Sequence, residues 1–429
     1  MKKILLSVLF VALSAYAFAQ SGTNSPYSQF GYGVLSDQSQ SMSRGMNGLA
    51  YGFREHNQIN SLNPASYSAL DSLSFMFDAG VSGQLTNFEE NGKKRNAKNA
   101  DLEYVSGAFR LFRHAGLSFG LLPYSNVGYN YYNTGYVDGS RTTTYANTYA
   151  GDGGLHKVYV GVGWAPVKDL SVGANVAYIW GKYTNSVINN YSDATINTLM
   201  KVYQADLNGI ELNFGIQYTA HVAKRDWVTI GATFNPKRKL TGDPQCLVIS
   251  NNPQTGVADT TKYTISGGME LPMTIGAGVV WNHNQQLRLG FDYQLMKWKD
   301  VSFPQYTLTN AGPRYTLNSN YFNNRTKYTF GGEYCYGERA RNFFKRIRYR
   351  AGVSYATPYQ KVNGQDGPKE MSASVGLGIP IVNGYNNRSM LNISGQWVRS
   401  TDAFIKENTF RINIGFTFNE RWFAKFKVQ

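Results

Sequence analysis

Between residues 408 and 418 every second side chain is apolar. Phe410, Ile412, Ile414, Phe416 and Phe418 share one face, and Arg411, Asn413, Gly415 and Thr417 take the other. The same alternation runs through 370–380 (Met371, Ala373, Val375, Leu377, Ile379), 286–296 (Leu287, Leu289, Phe291, Tyr293, Leu295) and 210–218 (Ile210, Leu212, Phe214, Ile216, Tyr218). A period of two describes strands with one oily and one polar face. In a soluble sandwich the oily faces pair across a core. In a membrane barrel they meet lipid and the polar faces line the lumen. The pattern starts near Asp71; before it neither helical nor strand periodicity holds for long.

Link lengths separate the two architectures. Short links fall near 113–115, 166–169, 220–226, 283–285, 337–345 and 382–387, and long ones near 89–100, 134–154, 185–206, 236–270, 299–324, 358–369 and 399–407. Short periplasmic turns alternating with longer outer loops are the signature of an outer-membrane barrel. Counting Thr261–Gly268 as a strand gives fifteen and puts the termini on opposite sides; placing it in a long outer loop gives fourteen, with every link on its expected side. The expectation is an all-β protein, a fourteen-stranded antiparallel transmembrane β-barrel over 71–419, with an N-terminal plug (20–70) in its lumen and a periplasmic C-terminal tail (420–429). The seven tryptophans support this. Trp164, Trp227, Trp281 and Trp422 fall at periplasmic ends, and Trp180, Trp298 and Trp397 at outer ends, as two girdles.

Composition and targeting agree. Met1-Lys2-Lys3, an apolar run and Ala17-Phe18-Ala19 read as a signal peptide over 1–19, followed by no stretch long and apolar enough for a membrane helix. The 31 Tyr, 24 Phe and 44 Gly, set against a mean hydropathy of -0.36, fit strands oily on one face only. The localisation expected is integral to the outer membrane of a Gram-negative bacterium. A net charge of +15 with an export signal and no nucleic-acid motif points to anionic lipid headgroups and away from nucleic acid. The five histidines show no metal spacing, no Ser-His pair is marked, and no cofactor or enzyme activity is expected. Cys246 and Cys335 lie far apart, and sequence does not decide whether they are bonded.

The non-periodic lead-in, Gly45 to Tyr67, is glycine-rich and runs to Asn63-Pro64-Ala65. It resembles the start of the FadL/TodX family of outer-membrane transporters for fatty acids and hydrocarbons. Gly116-Leu-Ser-Phe-Gly-Leu-Leu-Pro123, Leu271-Pro272-Met-Thr-Ile-Gly276, Tyr349-Arg350-Ala351-Gly352-Val-Ser-Tyr355 and Gly376-Leu-Gly378 follow in that family's order. The resemblance implies fourteen strands, a plug, passive passage of a hydrophobic small molecule, and a kink in the third strand that opens the wall sideways. Pro123, with Tyr124 to Tyr129, is the candidate opening. The start Ser25-Pro26-Tyr27-Ser28 and the basic end depart from the family pattern.

The candidate ligand-binding residues are Phe30 and Tyr32 beside the plug, and Arg288, Lys327, Arg348 and Arg350 on lumen faces of successive strands. There Arg288, Lys327, Arg346, Arg348 and Arg350 outnumber Asp292 and Glu333. Either these charges salt-bridge into a rigid wall, or an unpaired arginine holds a carboxylate or sulfate head. Two functions stay open: a channel for hydrophobic molecules with lateral release, or a non-transporting scaffold subunit of an outer-membrane secretion or assembly complex, contacting another envelope protein. An apolar tube favours the first and a sealed lumen the second.

Overall fold

The computed structural model describes residues 22–420, apart from 73, 311, 339, 383–387 and 403–404. The signal peptide and the tail beyond Glu420, with Trp422, lie outside the described residues.

Fourteen antiparallel strands close into a barrel: β1 (Phe75–Glu90), β2 (Lys93–Phe112), β3 (Ala115–Tyr136), β4 (Thr144–Val167), β5 (Leu170–Tyr191), β6 (Thr198–Ala223), β7 (Asp226–Asn235), β8 (Thr274–His283), β9 (Leu287–Met296), β10 (Arg325–Tyr334), β11 (Arg348–Ala356), β12 (Lys369–Val382), β13 (Arg388–Thr401) and β14 (Lys406–Glu420). The last pairs with the first, from Phe75↔Glu420 to Glu89↔Lys406, so the barrel has no free outer edge there. The outward positions form the apolar band the alternation anticipates, with Val160, Phe214, Ile230, Phe330, Val375 and Ile412 each at least 45% exposed. Trp164, Trp180, Trp281 and Trp397 lie on this outer surface. It is an integral outer-membrane barrel.

Three of the expected long loops are strands instead. The 89–100 link is a two-residue turn at Asn91-Gly92, both with positive φ, and β1 and β2 stay paired up to it. Likewise β3 to β6 run for 22, 24, 22 and 26 residues, where about 10 suffice to cross the membrane. The excess rises above the outer face. There both strand faces meet water, so oily alternation fades while backbone pairing persists. Ala258–Thr264 does belong to a loop: it pairs with Gln245–Asn251, which extends the wall beside Thr198–Gln204 of β6. The 337–345 turn is longer than expected, and Arg346 ends its short helix Phe343–Arg346 instead of facing the lumen from a strand.

Trp298 leaves the girdle altogether. It sits fully buried in a turn after β9, beneath the outer loops, with its ring centroid 4.6 Å from Tyr359 and 5.4 Å from both Tyr32 and Phe322. Around it Leu240, Met269, Leu271, Val301 and Phe303 form an apolar lid over the outer mouth.

Candidate functional site

Residues 39–70 lie in the lumen, almost all buried. Asn63 caps the short helix Pro64–Ala69 by accepting from the Ala65 amide at 3.2 Å, and its amide nitrogen donates to the Tyr51 carbonyl at 2.8 Å. Pro64 at the first helical position gives up a donor that would be orphaned there anyway. This helix lies on a shelf of glycines. Gly116, Gly163, Gly173 and Gly215 stand directly opposite one another across β3 to β6. A Cβ on Gly163 or Gly173 would strike Pro64, and one on Gly116 the Tyr67 carbonyl. Pro64 thus packs directly against the inner face of the wall.

Charge fixes the rest. Arg44 pairs with Glu103 of β2 at 2.9 Å and donates to the carbonyls of Ser39 and Asp37, each at 3.0 Å. The Asp292 carboxylate accepts from the amides of Ala50 (2.6 Å) and Tyr51 (2.9 Å). Burial raises the Asp37 carboxyl, but the charges of Arg44 and Lys327 and bonds from Ser39 outweigh it and hold it at about 2.

The three candidate arginines are brought together, on carboxylates of the chain itself. Glu333 accepts from Arg288 (2.6 Å), Arg348 (3.0 Å) and Arg350 (2.7 Å). Glu55 of the plug reaches Arg288 at 2.8 Å and Arg348 at 3.4 Å, and Glu338 closes on Arg348 from the periplasmic turn. Lys327 stands apart, its ammonium 3.3 Å from the Asn47 carbonyl. Sequence reasoning missed Glu55, although it is the only acidic residue between Gly45 and Tyr67 and faces an excess of inward arginines. It also missed Arg44, Glu103 and Asp37, which no single-strand pattern connects.

Next to Pro123 the wall loses its pairing. Strands β2 and β3 pair from Phe112↔Ala115 to Val105↔Leu121 and then part, β2 following β1 and β3 following β4. Each bulges at the parting, β2 at Glu103 and β3 at Tyr124, and a bulge bends its strand. The gap is filled by the chain's own start. Val34 and Leu35 pair with Asn126 and Ser125. The Ser36 amide donates to the Tyr124 carbonyl (3.0 Å), the Gln38 side chain to the Pro123 carbonyl (2.7 Å), and the Gly128 amide to the Ser28 hydroxyl (3.1 Å). On the other bank Asn24 donates to Asn99 at 2.9 Å. Tyr124 and Tyr129 turn inward and join the lid core with Tyr32. The Tyr32 hydroxyl donates to the Glu270 carbonyl at 2.8 Å, and the Phe30 carbonyl accepts from Gln360 at 2.9 Å.

Between lid, plug and filled gap remains a cavity of about 260 Å³. Asp37, Asp292, Lys327 and Arg411 line it together with Leu35, Leu62, Tyr124, Met296 and Val398, so its wall is charged and apolar in comparable measure.

The sequence matches the BamG family over residues 1–429. The chain belongs to that family. No curated protein matches it. Among solved structures, the BamG-family barrel is similar to the toluene transporter TbuX of Ralstonia pickettii (TM-score 0.62, 14% identity, 89% of this chain and 98% of that one). It is also similar to the P. putida toluene transporter TodX (0.60, 14%, 92% and 100%) and to the CymD monoaromatic hydrocarbon channel (0.57, 16%, 88% and 97%). A Pseudomonas aeruginosa FadL homologue matches at a TM-score of 0.58. These likenesses show the fold, a FadL-type barrel, in accord with the resemblance read from the sequence.

Proposed function

We propose that this BamG-family barrel is a non-transporting scaffold subunit of an outer-membrane assembly or secretion complex, built on a channel fold. The observation that carries this reading is the filled gap: Val34 and Leu35 occupy the edge of β3 where a hydrophobic molecule would leave sideways. The lumen behind it supports the same reading. Its cavity sets charged side chains among the apolar ones, and Arg288, Arg348 and Arg350 are paired with Glu333, Glu55 and Glu338 instead of awaiting a ligand. The wall of β3 to β6, standing far above the membrane, offers a surface for another envelope protein.

Passive uptake of a hydrophobic compound with lateral release near Pro123, Tyr124 and Tyr129 is the second reading. It is favoured by the named channels that share the fold. On that reading Phe30, Tyr32, Arg288, Lys327, Arg348 and Arg350 would contact the compound. The test compares Pro123→Ala with deletion of residues 25–33. Scaffolding predicts that Pro123→Ala leaves toluene uptake by cells unchanged, while the deletion removes the barrel from a larger assembly on native gels. Uptake that falls in Pro123→Ala with the assembly intact would favour transport.

A further inference from the structure

One outward patch gathers five cations at the upper edge of the apolar band. On β12, β13, β14, β1 and β2, three neighbouring rows of residues stand in register. The lowest runs Ala373, Trp397, Phe410, Leu85, Lys98; the next Met371, Arg399, Asn408, Asn87, Asn96; the highest Lys369, Thr401, Lys406, Glu89, Lys94. Lys94, Lys98, Lys369, Arg399 and Lys406 are all exposed and point away from the lumen, alternating with exposed Met371, Trp397 and Phe410 on their own strands. One carboxylate, Glu89, stands among these five cations. Among the described residues none of the five has a carboxylate within ion-pair distance. In the lumen Arg44, Arg288, Arg348 and Arg350 are instead matched to carboxylates.

We propose that this patch is a binding site for the phosphate-bearing headgroups of outer-leaflet lipids. Five strands at about 4.8 Å spacing make it on the order of 20 Å across, enough to face more than one phosphate. The Trp397–Phe410–Leu85 row marks where the apolar band ends on these strands, so acyl chains lie against it while the cations above meet the headgroup. Cations beside an anionic leaflet each add to the attraction, which salt screens. A free acidic protein would find the charge, but would have no use for the oily row directly beneath it. The patch lies outside the lumen, so its chemistry is the same whether or not the barrel conducts.

The test uses the full mature barrel in detergent micelles and native mass spectrometry. The probes are a phosphorylated outer-membrane glycolipid, the same glycolipid after phosphatase treatment, and inorganic phosphate as competitor. Wild type should retain the phosphorylated form at least ten-fold better than the dephosphorylated one, and less well at high salt. A variant with Lys94, Lys98, Lys369, Arg399 and Lys406 all replaced by Gln should lose that preference, while Lys224→Gln with Arg225→Gln in a periplasmic turn keeps it. Folding of each variant is checked by heat-modifiable gel mobility. Equal retention of both lipids by wild type, unchanged preference in the folded five-fold variant, or full displacement by an equal concentration of inorganic phosphate would overturn the proposal.

Discussion

Arg44 of the plug and Glu103, the bulged residue of β2, meet at 2.9 Å with both side chains more than nine-tenths buried. This contact ties the plug to the strand whose departure from β3 creates the gap in the wall. The Glu103 carboxylate also accepts from the Ser82 hydroxyl at 2.5 Å, and Arg44 packs over the Tyr104 ring. Plug position and wall geometry are thereby set together.

Breaking this pair leaves an uncompensated buried charge. Either Arg44→Ala or Glu103→Ala should destabilise the seating of the plug by about 3–5 kcal/mol. Hydrogen exchange should rise across 39–62 in both variants while β8 to β10 stay protected. Replacing both with apolar residues of similar size, Arg44→Met with Glu103→Leu, should recover part of the protection, the remainder being lost because Asp37 keeps only Lys327 as counter-charge.

The glycine shelf makes a contrasting pair. Gly163→Val would push a side chain into Pro64 and should cost about 1–3 kcal/mol, read as faster exchange across 63–70. Gly395 faces outward with nothing within 4 Å of an added Cβ, and Gly395→Val should leave the same region unchanged.

Filling of the gap can be trapped. Cysteines at Leu35 and Ser125, registered partners across the short ladder, should cross-link on mild oxidation in intact outer membranes. Deletion of residues 22–38 should instead open a polar hole and sensitise cells to a large polar antibiotic, measured as a fall in its inhibitory concentration.

Orientation follows from the links. Single cysteines at Ser192 and Asn310 should react with an impermeant thiol reagent added to whole cells, and one at Asn284 should not. The reverse pattern would place the tall β3–β6 wall in the periplasm.

The barrel was legible because lipid and lumen impose opposite demands on adjacent residues, and 408–418 or 286–296 record that directly. Above the membrane the demand lapses. Residues 93–99, nearly all Lys, Arg and Asn, read as loop although they form a ladder with β1. Trp298 was misplaced because a tryptophan after a strand looks alike in a girdle or under a folded loop. The arginines of the lumen were visible as charges, but their partners depend on where the plug sits. Glu55 lies nearly three hundred residues from Arg348, and no periodicity links them. The bulge beside Pro123 was legible from a proline in a strand; the segment that pairs there was not, because Val34–Leu35 is a two-residue strand in a stretch without alternation.

A scaffold barrel has a wall and lumen closed to hydrophobic cargo. The most direct measurement of that closure is uptake of radiolabelled toluene into proteoliposomes holding the barrel, with the Leu35–Ser125 cysteine pair either reduced or cross-linked. A closed barrel gives uptake equal to that of protein-free liposomes in both states. Uptake above that background in the reduced state, abolished by the cross-link, would contradict closure.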